Sequence, residues 1–343
     1  MKLKKIISLV GAVILGASIF VGCGGAKSSE VPEELIVQFV PSRDASEIEK
    51  ATDPLQNMLK EKLKDKGFDI EKVSVKVGTN FETVAEALGA GTAQVGFIPG
   101  STYVLYDGES EALLTATRDS LNHDSDEAKD WNTEPTKGMD DNKADSYRSL
   151  IIAGPSEKGQ ALAKKINNGE KLTAEDIKDV KWAVPSSTTS PAGYVYPSLW
   201  IKDNFGLNGL SAISDSLIQT PSYADAVAKL AAGQADVMTG YADVRRDYES
   251  GWTKDHGKKN IWEETAVIGV TKPIYNDMIA VTKDESMTPE LKQAIQDSFL
   301  EIAETDEGKE IIAIYSHSGY TKAEDKNYDS EREAQKLLKE LNK

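Results

Sequence analysis

The sequence predicts a two-lobed α/β protein, and three observations carry that expectation. Short apolar runs alternate with longer stretches of helical period, the pattern of strand-helix-strand units that build a mostly parallel sheet with flanking helices in each lobe. A stretch at 83–103, TVAEALGAGTAQVGFIPGSTY, is echoed at 226–244, AVAKLAAGQADVMTGYADV: an alanine-rich helix, a glycine stop, a short strand and a loop. The length of 343 residues suits two domains at roughly 100 to 200 residues each.

Residues 35–40, LIVQFV, read as a strand buried on both faces and ended by Pro41 and Ser42. In 47–63, Ile48, Leu55, Met58, Leu59 and Leu63 recur at helical spacing with charges between them, which predicts one amphipathic helix. Residues 73–77 alternate as a strand, 81–88 are helical up to Gly89-Ala90-Gly91, and 94–98 form the next strand. From 118 to 145 the chain is polar with no apolar period, as expected of a surface excursion. A second unit follows: strand 147–153, helix 159–167, strand 182–184, helix 191–204, a strand near 213–218, helix 223–232 and strand 236–239. A strand at 276–282 and helices at 289–305 and 307–315 then return to the first lobe. The expected division is 35–149 with 271–343 for lobe 1 and 150–270 for lobe 2, with a cleft between them at the carboxyl ends of the strands.

Composition narrows the function. With 40 basic and 56 acidic residues the formal charge is −16, so nucleic acid, which needs a basic face, is not an expected partner. One cysteine forms no internal disulfide, and His123, His256 and His317 lack metal-ligand spacing, so no metal or cofactor is expected. The G-x-S-x-G, P-loop and H-E-x-x-H patterns are absent, and Ser316-His317-Ser318 has no sequence-adjacent acid to orient the histidine, so an enzyme is not expected.

At the N-terminus, Lys2, Lys4 and Lys5 precede about 16 mostly apolar residues, too short and glycine-punctuated for a spanning helix of roughly 20; this is a secretory signal. Its end, Phe20-Val21-Gly22-Cys23, resembles the lipobox of bacterial lipoproteins, although Phe20 stands where leucine is usual. The resemblance implies removal of residues 1–22, lipidation of Cys23 and a tether over 23–34 whose small and polar residues suit a flexible linker. The folded part would then work at the outer face of the cytoplasmic membrane.

The most informative stretch is Pro185 to Pro197, PSSTTSPAGYVYP, between a strand and a helix. Proline is favoured at the first helical position, which makes Ser190 the natural N-cap of a helix starting at Pro191. Unbonded N–H groups and the positive end of the helix dipole, with the hydroxyls of Thr188, Thr189 and Ser190, would suit an oxyanion without any lysine or arginine. An ordinary serine-rich loop with a helix cap fits the same spacing. Ser101, Thr102 and Tyr103 after the 94–98 strand, and Ser42 after the first, are the matching candidates from lobe 1, with Arg43 read as a rim charge. Tyr223, Tyr241 and Asp243 stand at helix starts or strand ends of lobe 2 and could meet a ligand's ammonium group. Asp225 reads as dipole complementation and Asp277 as a turn residue.

A strand, a Ser/Thr-rich loop and Gly193-Tyr194-Val195-Tyr196-Pro197 at a helix start resemble the phosphate/phosphite/phosphonate solute-binding proteins of ABC importers. VPSRD with DPLQNMLKEKL, VGFIPGSTYVLY and KPIYNDMIAV agree, so the likeness spans most of the chain after Cys23. It departs where Pro191 and Ala192 replace the hydroxyl residue usual before the glycine, which moves the expected anion contacts upstream to 188–190. The resemblance implies a periplasmic-binding-protein-like (type II) fold, a phosphonate- or phosphate-type ligand in the interlobe cleft, a permease and its ATPase as partners, a membrane contact through the lipid alone, and a monomer. A sensor lipoprotein that presents its ligand to a membrane partner, or the same fold holding another small organic solute, is the alternative.

Overall fold

The computed structural model describes residues 31–341. The expected signal segment, Cys23 and all but the end of the expected tether lie outside the described residues. The strands are β1 (Glu34–Phe39), β2 (Lys72–Val77), β3 (Val95–Ile98), β4 (Ser110–Leu121), β5 (Gly138–Ala144) and β6 (Ser146–Ala153). They continue as β7 (Trp182–Pro185), β8 (Leu217–Thr220), β9 (Val237–Tyr241), β10 (Ala266–Tyr275), β11 (Met278–Thr282) and β12 (Gly319–Lys322).

Two sheets result, each with its own apolar core. The first runs β2-β1-β3-β11-β4-β12, with β5 paired to β4, and the second runs β8-β7-β9-β6-β10. Parallel pairing is confined to β2-β1-β3 and β8-β7-β9. The expectation of mostly parallel sheets is corrected here, for a reason in the chain path. β11 enters the first sheet from the second and β6 enters the second from the first, and each lies antiparallel beside the third parallel strand.

The internal echo is structural. Asn80 caps the helix Phe81–Gly89 and Ser222 caps Tyr223–Ala231. Gly91 and Gly233, two residues beyond those helices, both take φ +68, in the left-handed region where glycine escapes the Cβ penalty. Their N–H groups bond to Leu88 and Leu230 carbonyls at 3.1 and 3.0 Å, so both turns deliver β3 and β9 in the same way.

Other expectations need correction. The helix expected over 47–63 is two, Ala45–Thr52 and Leu55–Asp65, because Pro54 lacks an N–H and clashes with the preceding turn. β1 alternates buried and half-buried positions instead of being covered on both faces. Residues 209–216 form a 3₁₀ segment, which moves the strand expected near 213–218 to β8. The supposed surface excursion holds the end of β4, the turn Ala128–Asn132 and β5. Trp131 is buried in the second sheet's core, Asn132 bonds both the N–H and the C=O of Val267, and Asp124 and Asp126 hold Arg148 at 2.6 and 2.7 Å.

Chain crossings join the lobes side by side. The Asn276 N–H donates to the Asp145 carbonyl at 2.9 Å, and its side-chain amide donates to the carbonyls of Ala116 and Ala144 at 3.0 and 2.9 Å. A further link comes from the helix Asp329–Leu341. Ala334 and Leu338 pack in the second core, Gln335 donates to the Ser101 carbonyl at 2.9 Å, and Glu331 accepts from Ser101 and, at 2.6 Å, from Tyr196. No helix among the described residues is long and apolar enough to cross a membrane.

Glu331 is fully buried, and burial pushes its carboxyl above the usual range against the hydrogen bonds from Ser101 and Tyr196. A raised carboxyl favours folding below the unfolded value of 4.5 and loses that contribution as pH rises through the folded one. Glu331→Gln, neutral at every pH, should therefore gain stability over the wild type between pH 4 and pH 7.5 in denaturant titrations; an equal difference at both pH values contradicts the assignment.

Candidate functional site

Loops from both lobes converge on one small cavity of about 40 Å³ measured with a water-sized sphere, room for a few waters or a small group. The first lobe supplies Val40, Ser42 and Arg43 after β1, Phe81 at a helix start, Pro99 after β3, and Ile314 to Ser316. The second supplies Tyr147 on β6, Ser190 to Ala192 after β7, Tyr223 at a helix start and Tyr241 at the end of β9. Arg118 on β4 and Asp277 on the second crossing complete the wall. The parallel strands thus present their carboxyl ends to it, as open α/β sheets do.

Each wall residue is held by its neighbours. Ser190 is the N-cap of Pro191–Val195, a wide turn that runs into the helix Tyr196–Phe205. Its hydroxyl accepts from the Gly193 N–H at 3.2 Å and lies 3.0 Å from the Tyr223 hydroxyl. A Cβ on Gly193 would fall 2.5 Å from Pro185 and 2.7 Å from the Ser190 hydroxyl, so glycine is required for this close approach. Tyr241 donates to Asp247 at 2.9 Å and Tyr315 to the Val40 carbonyl at 2.6 Å. Burial pushes the hydroxyls of Tyr147, Tyr223, Tyr241 and Tyr315 well up, so all four are neutral phenols at physiological pH.

Two guanidinium groups face this space. Arg43 pairs across the cleft with Asp247, and both side chains are 13% exposed. Arg118 donates to Asp277 at 3.1 Å and lies over the Tyr147 ring at 4.6 Å. Burial opposes the charge on Arg118 most strongly, but Asp277 together with Tyr147, Asp243 and Tyr241 outweighs it and holds the guanidinium above its ordinary value. Burial likewise opposes the charge on Asp277, and His317 with Arg118 outweighs it to keep the carboxyl below the usual range. Burial lowers His317, which is neutral at pH 7. The Tyr320 hydroxyl lies 3.2 Å from its Nδ1, and a hydrogen bond donated there leaves the proton on Nε2, facing Asp277 at 3.7 Å.

Of the residues singled out in sequence, Ser42, Ser190, Tyr223 and Tyr241 stand around the cavity. The others lie elsewhere. Thr102 and Thr189 meet across the lobes with hydroxyls 3.0 Å apart, and the Thr189 N–H donates to Glu82 at 3.3 Å. Ser101 is held by Glu331, and Tyr103 donates to Asp325 at 3.1 Å, both toward the C-terminal segment. Thr188 is exposed, and Asp243 is buried against Arg246 at 2.7 Å. Arg43 is no rim charge and Asp277 no plain turn residue. The expectation of a donor set without arginine is corrected by Arg43 and Arg118.

Arg118, Tyr147 and Tyr315 were not foreseen. Residues 113–118, LLTATR, carry a β-like mixture of apolar and Thr residues that signals the strand, but nothing local announces the partner 159 residues away. The site lacks a hydrolytic relay. Ser316 is 3.4 Å from Asp247 instead of meeting His317, and Asp277, which does supply an acid near that histidine, is engaged by Arg118. No cluster of three or more metal-ligating side chains occurs among the described residues.

Comparison with known proteins places this geometry in a family. Residues 37–328 match the family model described as ABC transporter, phosphonate, periplasmic substrate-binding protein. Among solved structures, the chain is similar to a binding protein component of an ABC phosphonate transporter from Pseudomonas aeruginosa. The TM-score is 0.64 at 14% identity, covering 91% of this chain and 88% of that one. PhnD1 from Prochlorococcus marinus, in complex with methylphosphonate, gives 0.62 at 13%, covering 90% and 99%. A Xanthomonas citri protein bound to ATP gives 0.61 at 12%, covering 90% and 98%. These likenesses establish the two-lobed periplasmic-binding-protein-like fold, and the family is an extracytoplasmic binding component, not an enzyme. The chain belongs to the phosphonate-type periplasmic substrate-binding proteins of ABC transporters.

Proposed function

We propose that the protein captures a phosphonate- or phosphate-type oxyanion in the interlobe cavity and delivers it, as a monomer, to a membrane permease driven by an ATPase. The observation that carries this reading is the cavity where strand ends of both sheets meet the Ser190-capped helix start. Ser42, Ser190, Tyr223 and Tyr241 are the proposed binding residues: Ser42 and Ser190 turn neutral O–H donors to the anion, Tyr223 donates to Ser190 behind it, and Tyr241, whose proton goes to Asp247, forms the wall beside two paired arginines. Thr102 and Thr189 contribute by closing the lobes.

The moving bodies in this reading are 35–145 with 276–343, and 146–275, which keeps β6 and β10 whole within the second sheet. Closure would form the Arg43 pair with Asp247 and the contact from the Ser187 hydroxyl to Glu82 at 2.8 Å, both of which join one lobe to the other. Opening breaks these contacts and bares the cavity, the hinge motion usual for two lobes around a small ligand. Cys23, freed by removal of residues 1–22 and diacylated, would tether the folded part to the outer face of the cytoplasmic membrane.

Calorimetric titration with phosphate, phosphite, methylphosphonate and 2-aminoethylphosphonate tests the ligand class, and an unrelated solute binding in their place refutes it. Ser190→Ala should weaken the bound oxyanion roughly ten- to hundredfold, the range of a lost charge-assisted hydrogen bond, and unchanged affinity removes Ser190 from the site. Asp247→Asn should raise the open fraction without ligand, seen as a larger radius of gyration in solution scattering; an identical curve counts against the latch. Cys23→Ser should abolish fatty-acid labelling in cells, and persistent labelling places the anchor elsewhere.

A further inference from the structure

Arg118 differs from the other buried arginines in what its guanidinium still lacks. The side chain is 7% exposed and lines the cavity. One N–H group is used on Asp277, one face lies on Tyr147, and the Nε–H is buried with no hydrogen-bond partner among the described residues. Arg43, by contrast, is committed to the interlobe pair with Asp247. Arg245 also has an unbonded Nε, but it donates to the Trp131 carbonyl and stacks on Trp262, outside the cavity wall. A buried cationic donor left unpaired costs more than an ordinary missing hydrogen bond, so a partner for it is expected from what enters the cavity.

We propose that Arg118 contacts the ligand directly, its guanidinium donating to one oxygen of the oxyanion while Asp277 and Tyr147 hold the group in place. This rests on the cavity being the binding site. It adds a cationic, charge-assisted contact to a site otherwise made of neutral donors, and the planar fork fixes direction in a way that a lysine ammonium does not. Asp277 accepts from Nη2, and no other hydrogen bond engages the guanidinium among the described residues. The contact therefore suits an anion that brings a single oxygen to the guanidinium and spends its other oxygens on the hydroxyls of Ser42 and Ser190.

The test titrates the intact protein in detergent with phosphate, methylphosphonate, 2-aminoethylphosphonate, methanesulfonate and acetate, then repeats each bound anion on variants. Arg118→Met should weaken that anion roughly ten- to hundredfold. Because this change strands Asp277, the double variant Arg118→Met, Asp277→Asn removes both charges and should show a similar loss with a restored unfolding midpoint. Arg118→Lys should recover only part of the affinity, since a point charge does not reproduce the fork. Affinity within twofold of the wild type in all three variants overturns the assignment. Should only methanesulfonate or acetate bind, the phosphorus ligand class fails while Arg118 is judged by the same variants on that anion; binding of none of these anions overturns both.

Discussion

The cavity depends on the way the two chain crossings are tied together. Asn276 bonds by its backbone to Asp145 and by its amide to Ala116 and Ala144, so one buried side chain joins both crossings and β4. The next residue is Asp277, and its carboxylate fixes Arg118 two residues beyond Ala116 on β4. Most buried polar groups are bonded, and here the bonds made by the Asn276 amide N–H groups at the crossing also set the floor of the site. Position at the hinge follows from chain path: β6 and β11, the strands that cross, carry or adjoin Tyr147 and Asp277.

How much of this the sequence discloses follows from the range over which each interaction acts. Local turn chemistry is readable: a serine before proline caps the Pro191–Val195 turn, and the glycines at 91 and 233 end paired helices in the same conformation. The echo between lobes is legible for that reason, because it repeats helix stops and strand lengths. β10 and β12 escape a reading based on period, since their burial follows partner strands distant in the chain, β6 and β4. The site is readable only in part. Ser190 announces itself through its cap, whereas Arg118 sits in the polar end of β4 and gains its meaning from Asp277, far along the chain. Ser101 and Tyr103 mislead because a hydroxyl after a strand fits a ligand or a helix equally well, and the C-terminal segment takes both.

The charge balance around the cavity explains how an acidic protein can hold an anion. The chain as a whole carries a formal −16, which opposes approach at long range, but ions screen that field over about 8 Å. Inside, Arg43 and Arg118 are each matched by one carboxylate, Asp247 and Asp277. Matching makes burial of the cations tolerable and lowers their pull on any anion that happens to arrive. If the proposed oxyanion binds here, selectivity would fall to direction: fixed hydroxyls, a helix start and one guanidinium would all have to find an oxygen at once.

The same economy limits how far the lobes separate. A two-crossing hinge would permit wide opening, yet the helix Asp329–Leu341 lies across both lobes, with Glu331 bonded to Ser101 of one and Tyr196 of the other. Breaking either bond strands a buried carboxylate, which is far more costly than losing an exposed pair such as those on the surface. The latch formed by Arg43 and Asp247 is partly exposed and bordered by the cavity, so water can resolvate it as it parts. In the proposed hinge motion, opening would start at the cavity mouth and pivot about the Glu331 contact, bending where charges can be rehydrated and holding where they cannot.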